Sequence, residues 1–432
     1  MMTRSSIVII LAGAAEIAAP AFAQQPQFKS MGKPPPGLYT QESFIIPLAC
    51  SPAGEVGGGN SGSPILWHPL TGYKTLQSSK PDKEGYVTDF VGWQDVPVGT
   101  ANYDNGPRPV RWPDRDGPPV AIPGFPVDEW VADQLSLHAN ADGSVIVGKM
   151  YHRQNGTSAI WIWRSGVRKN QGWEFITQFP PGKAGVGFGD LSDHAAIAVG
   201  GSRDLAWNFE AMRWSKSTGF VFDGDLPGGV FESAYNATDA LGLVAVGAAS
   251  PAQPGLAAVR WTARGGMLRL DENAPPPIAG YATGFYDSDH SGFVHVGAVL
   301  QGGKAHALAW NPLDGMYSTK ETLIEIFGLN EVSGWNLYSV RQISPEGRFM
   351  TGIGYNPQGV PETWWAEIRP FCYADCDRAS TPKGGEAVLN VDDFICYVTH
   401  FVMDDLYANC NNDAELDIDD FICFQTAFSL GC

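Results

Sequence analysis

The residues richest in chemistry lie between Cys372 and Cys432. That stretch holds twelve Asp or Glu against two basic residues, Arg378 and Lys383, and so carries −10 of the chain's formal charge of −18. Carboxylates packed this densely repel one another unless a cation gathers them. They belong to a duplicated phrase: Leu389-Asn390-Val391-Asp392-Asp393-Phe394-Ile395-Cys396 recurs as Leu416-Asp417-Ile418-Asp419-Asp420-Phe421-Ile422-Cys423. Upstream, Asp375-Cys376-Asp377 matches Asn409-Cys410-Asn411, and the larger offset there places a seven-residue insertion in the first copy, within 378–387. In the second copy, Asn409, Asn411, Asp413, Glu415, Asp417 and Asp420 occupy positions 1, 3, 5, 7, 9 and 12 of a twelve-residue loop. Alternate oxygen ligands, a backbone carbonyl at position 7 and a final carboxylate opening a helix make the flexible oxygen cage that Ca²⁺ prefers; Mg²⁺ wants a tighter octahedron. Two positions depart from the EF-type loop: Asp420 stands where Glu is usual, and Ala414 where the turn normally takes Gly.

Asp at the last position and a helix only after the loop resemble a dockerin pair. The closest version is the cysteine-bearing one that ends in Gly-Cys, as Gly431-Cys432 does here. The resemblance covers Cys372 to Cys432. It implies calcium as the cofactor, and Asp375, Asp377, Asn390 and Asp393 as ligands of the first loop. Glu386 is the candidate for the middle ligand that the insertion leaves open, and the second loop is the stronger expected site. It also implies a cohesin-like or cell-surface protein partner bound through residues 372–432.

Six of the seven cysteines fall in this tail, and six allow about fifteen pairings. The duplication narrows them. Cys376 and Cys410 sit at loop position 2, and Cys396 and Cys423 one turn into each following helix, which predicts Cys376–Cys396 and Cys410–Cys423, with Cys372–Cys432 clasping the ends. A module this small has little core, so three staples are physically reasonable. The alternative, a zinc site, lacks a CxxC and has only His400 to call on. Phe394, Val398 and Phe401, and again Phe421, Phe424 and Phe428, form one apolar helical face each, expected to pack on each other. Cys50 is the odd thiol, expected in a blade or free.

A large scaffold precedes the tail. An apolar run ending in Gly, a turn, and a strand reaching Trp recur seven times, ending at Trp67, Trp112, Trp161, Trp214, Trp261, Trp310 and Trp364, 45 to 54 residues apart. The glycines read as Gly57, Gly92, Gly148, Gly200, Gly247, Gly297 and Gly352. This is the period of a four-stranded propeller blade, which buries its Trp only against its neighbours. The expected fold is mostly β: a seven-bladed β-propeller over 38–368, followed by a small α-helical, calcium-binding, dockerin-like module over 369–432. The strand at 39–48 is expected to complete the last blade and close the ring. The repeats, most clearly those ending at Trp214 and Trp261 with Gly224-Asp225-Leu226-Pro227-Gly228-Gly229 between them, resemble the extracellular HAF repeats. That resemblance implies a secreted β-repeat scaffold and no particular activity.

Bulk properties fit export. Charged residues are 17% of 432, with 51 Gly, 32 Pro and 14 Trp. A net charge of −18 argues against nucleic acid as a partner. Residues 1–23 read as a signal peptide: Arg4, an apolar run over 7–14, and Ala21-Phe22-Ala23 before the cut. Residues 24–37 read as a flexible lead-in, and no stretch is long enough to span a bilayer. Gly59-Asn60-Ser61-Gly62-Ser63-Pro64 looks like a protease nucleophile motif, but no His precedes it in the mature chain. The leading expectation is a non-enzymatic binding or scaffold protein whose propeller takes a glycan or protein ligand and whose tail docks. The competing one is a tail-anchored propeller hydrolase or lyase acting on extracellular polysaccharide, which would need acidic or imidazole groups from several blades converging on the axial channel.

Overall fold

A four-stranded sheet with alternating apolar residues leaves both faces open, and repetition around an axis is one way to cover them. The computed structural model describes residues 25–35 and 44–431, apart from 61, 81–82, 93, 166–171, 194–196, 253–254, 272–280, 302 and 379–386. Among these residues the strands form seven antiparallel four-stranded sheets, a seven-bladed β-propeller. Blade 1 contains Ile46–Cys50, Val56–Asn60, Ser63–His68 and Gly72–Thr75; blades 2 to 6 follow over 85–121, 130–176, 183–224, 233–269 and 281–318. The first strand of each blade is innermost. These strands (Ile46–Cys50, Gly85–Val91, Trp130–Ala139, Lys183–Leu191, Ser233–Thr238, Tyr281–Ser288 and Asn336–Ile343) touch their neighbours in sequence, and the last touches the first.

The ring closes differently from the sequence expectation. Blade 7 holds Asn336–Ile343, Phe349–Tyr355 and Pro361–Glu367, and its outer strand is Gln27–Ser30, with Phe28 opposite Ala366 and Lys29 opposite Trp365. The segment read as a flexible lead-in therefore supplies the closing strand. The segment expected to close the ring instead enters blade 1 as its innermost strand, Ile46–Cys50, while 36–43 lie outside the described residues. An unpaired edge at Pro361–Glu367 is what recruits Gln27–Ser30, and Phe28 fixes it by packing against Trp335 and Trp364, with ring centroids 5.3 and 6.1 Å away.

The Gly-to-Trp signature marks the second and third strands of each blade. Trp67, Trp112, Trp161, Trp214, Trp310 and Trp364 are buried, and Trp261 is half-buried beneath the Arg213 guanidinium. The glycines are required because the innermost strand carries a bulge and presses a carbonyl oxygen onto the second strand. A Cβ at Gly99 would lie 1.9 Å from the Tyr86 oxygen, and one at Gly200 would lie 2.0 Å from that of Gly187. This contact corrects the alignment of two copies. In blade 1 the matching glycine is Gly58, 2.2 Å by the same measure from the Ile46 oxygen, rather than Gly57; in blade 2 it is Gly99, not Gly92, which opens the turn after the innermost strand.

Helix α1 (Thr319–Glu325) and a 3₁₀ turn (Asn330–Gly334) join blades 6 and 7. The tail holds helices α2 (Val391–Val402) and α3 (Ile418–Leu430). Phe394, Tyr397, Phe421 and Phe424 pack between them, with Tyr397 and Phe424 stacked at 3.9 Å. The tail shares a core with the ring: Phe293 of blade 6 lies against Tyr373 and Tyr407, and Phe371 against Tyr317 and Phe327. Arg260 donates to Asn412 at 2.7 Å, Asn412 donates to the Ser291 carbonyl at 3.1 Å, and Arg378 pairs with Asp314.

Phe28→Ala should cost about 3 kcal/mol of unfolding free energy, the usual loss for a buried Phe. Urea denaturation of the full chain checks this; an unchanged midpoint would mean that the ring stays closed without this strand.

Candidate functional site

The bulge that forces the glycines also aims side chains at the axis. In blades 2, 4 and 6 the pairing slips by one residue just before Asp89, Asp190 and Asp287. One carboxylate oxygen of each accepts the following residue's amide: Phe90 at 2.7 Å, Leu191 at 2.7 Å and Ser288 at 2.8 Å. The other accepts an amide from the next blade's innermost strand: Ala139 at 2.8 Å, Thr238 at 2.9 Å and Ile343 at 2.8 Å. Each Asp thus staples its blade to the next, joining 2 to 3, 4 to 5 and 6 to 7.

All three carboxylates line one axial cavity of about 120 Å³. Thr88, His138, Asn236, Gln342, His290 and Cys50 share its wall. Burial raises Asp89, Asp190 and Asp287 to about 7 each, against the pull of their amide bonds. Burial lowers His138 to about 4, so it stays neutral. Burial alone would also lower His290, but its 2.7 Å contact with Asp193, with Asp190 and Asp287 near, outweighs that and raises it to about 9. Cys50 is a free, buried thiol pushed upward by burial and by surrounding carboxylates. Groups that titrate near neutrality can give and take protons, so the channel has acid–base capacity.

None of these channel residues was among the sequence candidates. The signal was present: Asp89, Asp190 and Asp287 each stand ten residues before the second-strand glycine, at Gly99, Gly200 and Gly297, and His138 and Gln342 stand ten before Gly148 and Gly352. Anchoring blade 2 on Gly92 hid that column.

In the tail, disulfides join Cys376 to Cys396 and Cys410 to Cys423 as expected. Cys372 is also disulfide-bonded, and its expected partner Cys432 lies outside the described residues. The first loop brings its acids together: ligand oxygens of Asp375, Asp377 and Asp393 lie within 4.8 Å of one another. Three contacts cause this. Asp393 accepts the Asn390 amide at 2.9 Å and the Asp377 amide at 3.0 Å, and the Cys376–Cys396 bridge pins the segment bearing Asp375 and Asp377 to the first half of α2. Glu386 lies outside the described residues. In the second loop, Asp420 likewise accepts the Asp417 amide at 3.0 Å and the Asn411 amide at 3.3 Å. Asp413 accepts from Glu415 at 2.8 Å and from the Asn411 side chain at 2.9 Å. The buried Asn409 side-chain oxygen has no hydrogen-bond partner. Among the described residues the second loop's carboxylates do not gather within 4.8 Å, so the acids converge in the loop expected to be the weaker. In the second loop the first two ligand positions are the amides Asn409 and Asn411, so fewer carboxylates are there to gather.

No protein-family model matches this chain, and no curated protein does. Solved structures match in fold. An oligogalacturonate lyase in complex with manganese is 10% identical with a TM-score of 0.52, over 80% of this chain and 97% of that one. The β-propeller domain of the Trilobed protease from Pyrococcus furiosus is 7% identical with a TM-score of 0.42, over 74% and 95%. TolB from Acinetobacter baumannii is 12% identical with a TM-score of 0.39; the match covers 58% of this chain and 57% of that one, less than two thirds of TolB's length. At these identities the likeness is one of fold.

An acid raised in the fold favours the protonated state, so its contribution to stability is complete below the unfolded value near 3.8 and is lost as pH rises through about 7. In chelator-treated buffer the full chain should therefore lose unfolding free energy between pH 5 and pH 8. Asp190→Asn should show a shallower loss in urea melts, and an equally steep one would mean that Asp190 does not titrate in that window.

Proposed function

We propose that this is an exported, non-enzymatic binding or scaffold protein. Its propeller presents a ligand surface, and its calcium-loaded, dockerin-like tail anchors it to a cohesin-like or cell-surface partner. One observation carries the docking half. At equivalent positions of the duplicated phrase, Val391 and Ile395 are 67% and 57% exposed, and Ile418 and Ile422 are 64% and 51% exposed. The Phe between the members of each pair turns inward, and Phe394 meets Phe421 at 5.7 Å. Two helices thus each present one apolar pair beside acidic residues, and grouped exposed apolar side chains mark interaction sites. Acids gathered at Asp375, Asp377 and Asp393, and the buried unpartnered oxygen of Asn409, suit oxygen-loving cations in the two loops. Export is supported by the leader-like start of the chain and by the disulfides, which persist in oxidising compartments. No described helix is long and apolar enough to cross a membrane.

The propeller offers an aromatic platform for a glycan or protein ligand. Trp207 is 68% exposed at φ +68°, held by Asp204, whose Oδ1 accepts the Ala206 and Asn208 backbone amides. Arg203 stacks on its ring at 3.7 Å, and Leu205, Phe209, Val230 and Phe231 are exposed in the same two loops, which meet at Phe209 and Glu232.

A second reading, a tail-anchored propeller enzyme acting on extracellular polysaccharide, is favoured by the convergence of Asp89, Asp190, Asp287 and His290 on the channel. The fold shared with an oligogalacturonate lyase is compatible with it. It ranks second for two physical reasons. The cavity of about 120 Å³ is smaller than the roughly 300 Å³ at which ligand pockets begin. Each carboxylate is also already engaged by two amides.

Full-length protein should bind host cell-surface fractions. Binding should fall at least tenfold with EDTA and with Ile395→Asp plus Ile422→Asp, at unchanged melting temperature for the double variant, since hot-spot truncations cost about 2 kcal/mol or more. Binding indifferent to both treatments overturns the docking reading. Cleavage of a polysaccharide by the wild type that Asp190→Asn abolishes would replace it with the enzyme.

A further inference from the structure

The axial cavity has an unusual charge inventory. Asp89, Asp190, Asp193 and Asp287 lie in or beside it, and among the described residues no Lys or Arg lines it. His290 is the one cationic group, and Asp193 holds it at 2.7 Å. Three carboxylates therefore face a shared space with no positive side chain of their own. Their amide bonds do not exhaust them, because a carboxylate has about four acceptor sites and each uses two here.

A separate observation points to a guest. Thr88 is the bulged residue before Asp89, it lines the cavity, and it is only 5% exposed. Its hydroxyl has no hydrogen-bond partner, and a buried hydroxyl left unpaired is unfavourable unless a guest fills the role. Asn236 and Gln342 also spend their NH₂ groups on backbone, donating to the carbonyls of Phe285 and Arg341. Their side-chain oxygens stay available as acceptors on the wall. The wall is thus acceptor-rich and negatively charged, with one hydroxyl able to donate or accept.

The space and spacing narrow the guest. A cavity of about 120 Å³ has room for several waters, each taking about 30 Å³ in the liquid. No three Asp, His or Cys ligand atoms around it lie within 4.8 Å of one another, among the described residues. A bare ion could not touch three of these groups at once. An ion that keeps its waters could reach them all, and Mg²⁺ gives up its waters reluctantly.

We propose that the axial cavity of the propeller holds one hydrated divalent cation of the magnesium type, bound through its water shell to Asp89, Asp190, Asp287 and Thr88. The ion offsets most of the charge of the three staples, which join blade 2 to 3, 4 to 5 and 6 to 7. The site is distinct from the tail loops, whose oxygens would contact an ion directly, and it does not depend on the docking reading.

The test uses the full chain, stripped of metal, and isothermal titration with MgCl₂ and with hexaamminecobalt(III). The cobalt complex does not exchange its ammonia ligands and can occupy only a site that binds through the shell. One complex should bind per chain and be displaced by Mg²⁺. Thr88→Val leaves every amide staple in place and should weaken binding several-fold, and Asp190→Asn should weaken it roughly tenfold or more, as expected when one charged hydrogen-bond acceptor is lost. Asp393→Asn with Asp420→Asn in the tail should leave it unchanged. The proposal is overturned if the cobalt complex does not bind, if the folded Thr88→Val protein binds it like wild type, or if the tail variants abolish binding. Should Asp190→Asn fail to fold, Thr88→Val decides.

Discussion

A backbone carbonyl pressed against a glycine sets the geometry of six of the seven blades. The innermost strand drives an oxygen to within about 2 Å of where a Cβ would stand on the second strand, as at Gly99, Gly200, Gly247 and Gly352, while in blade 3 the Trp161 ring crowds Gly148 instead. No other residue fits, so glycine recurs. In blades 2, 4 and 6 the same bulge shifts the strand by one residue and turns the Asp ten before that glycine toward the axis. One local constraint thus sets both the repeat signature and the placing of these carboxylates on the channel wall.

The channel wall then faces an electrostatic problem that the ring solves by alternation. Asp occupies the axial column in blades 2, 4 and 6, and each reaches across to an amide of blade 3, 5 or 7. Buried acceptors with charged character make strong bonds to amides, but they also resist ionisation. The staples are therefore strongest as a set only when something offsets their shared charge, by protonation or by a cation. The tail, meanwhile, is no loosely tethered appendage. Tyr373, Tyr407 and Phe371 bury against blade 6 and the segment that leads to blade 7, so the helices that expose Val391, Ile395, Ile418 and Ile422 are held at a fixed place beside the ring.

Much of this was legible in the residues. Seven Trp at blade-like spacing and the Val-Gly pairs expose the ring because burial and close approach leave few substitutes at those positions. Two disulfides were legible because the duplication constrains their geometry twice. What escaped notice involves contacts distant in sequence. Gln27–Ser30 carries one apolar residue, Phe28, next to a Pro-rich run, and only the open edge of Pro361–Glu367, more than three hundred residues away, makes it a strand. Val91-Gly92 and Val98-Gly99 look alike in sequence, and only the Tyr86 carbonyl tells them apart. The axial Asp residues are single acids in otherwise ordinary strands, visible once the glycines are aligned. In the tail, oxygen spacing favoured the second loop, yet the Cys376–Cys396 bridge and Asp393 gather the first.

At the centre of the structure, Asp89, Asp190 and Asp287 share one buried axial cavity. Carbon-detected NMR of the full chain with ¹³Cγ-labelled aspartate, titrated in chelator-treated buffer, observes those carboxyl groups directly. Three resonances should titrate with midpoints near 7, each missing from one of Asp89→Asn, Asp190→Asn and Asp287→Asn. Midpoints near the ordinary aspartate value of about 3.9 for all three would contradict the shared cavity, and with it the reading of the channel as the protein's chemically distinctive site.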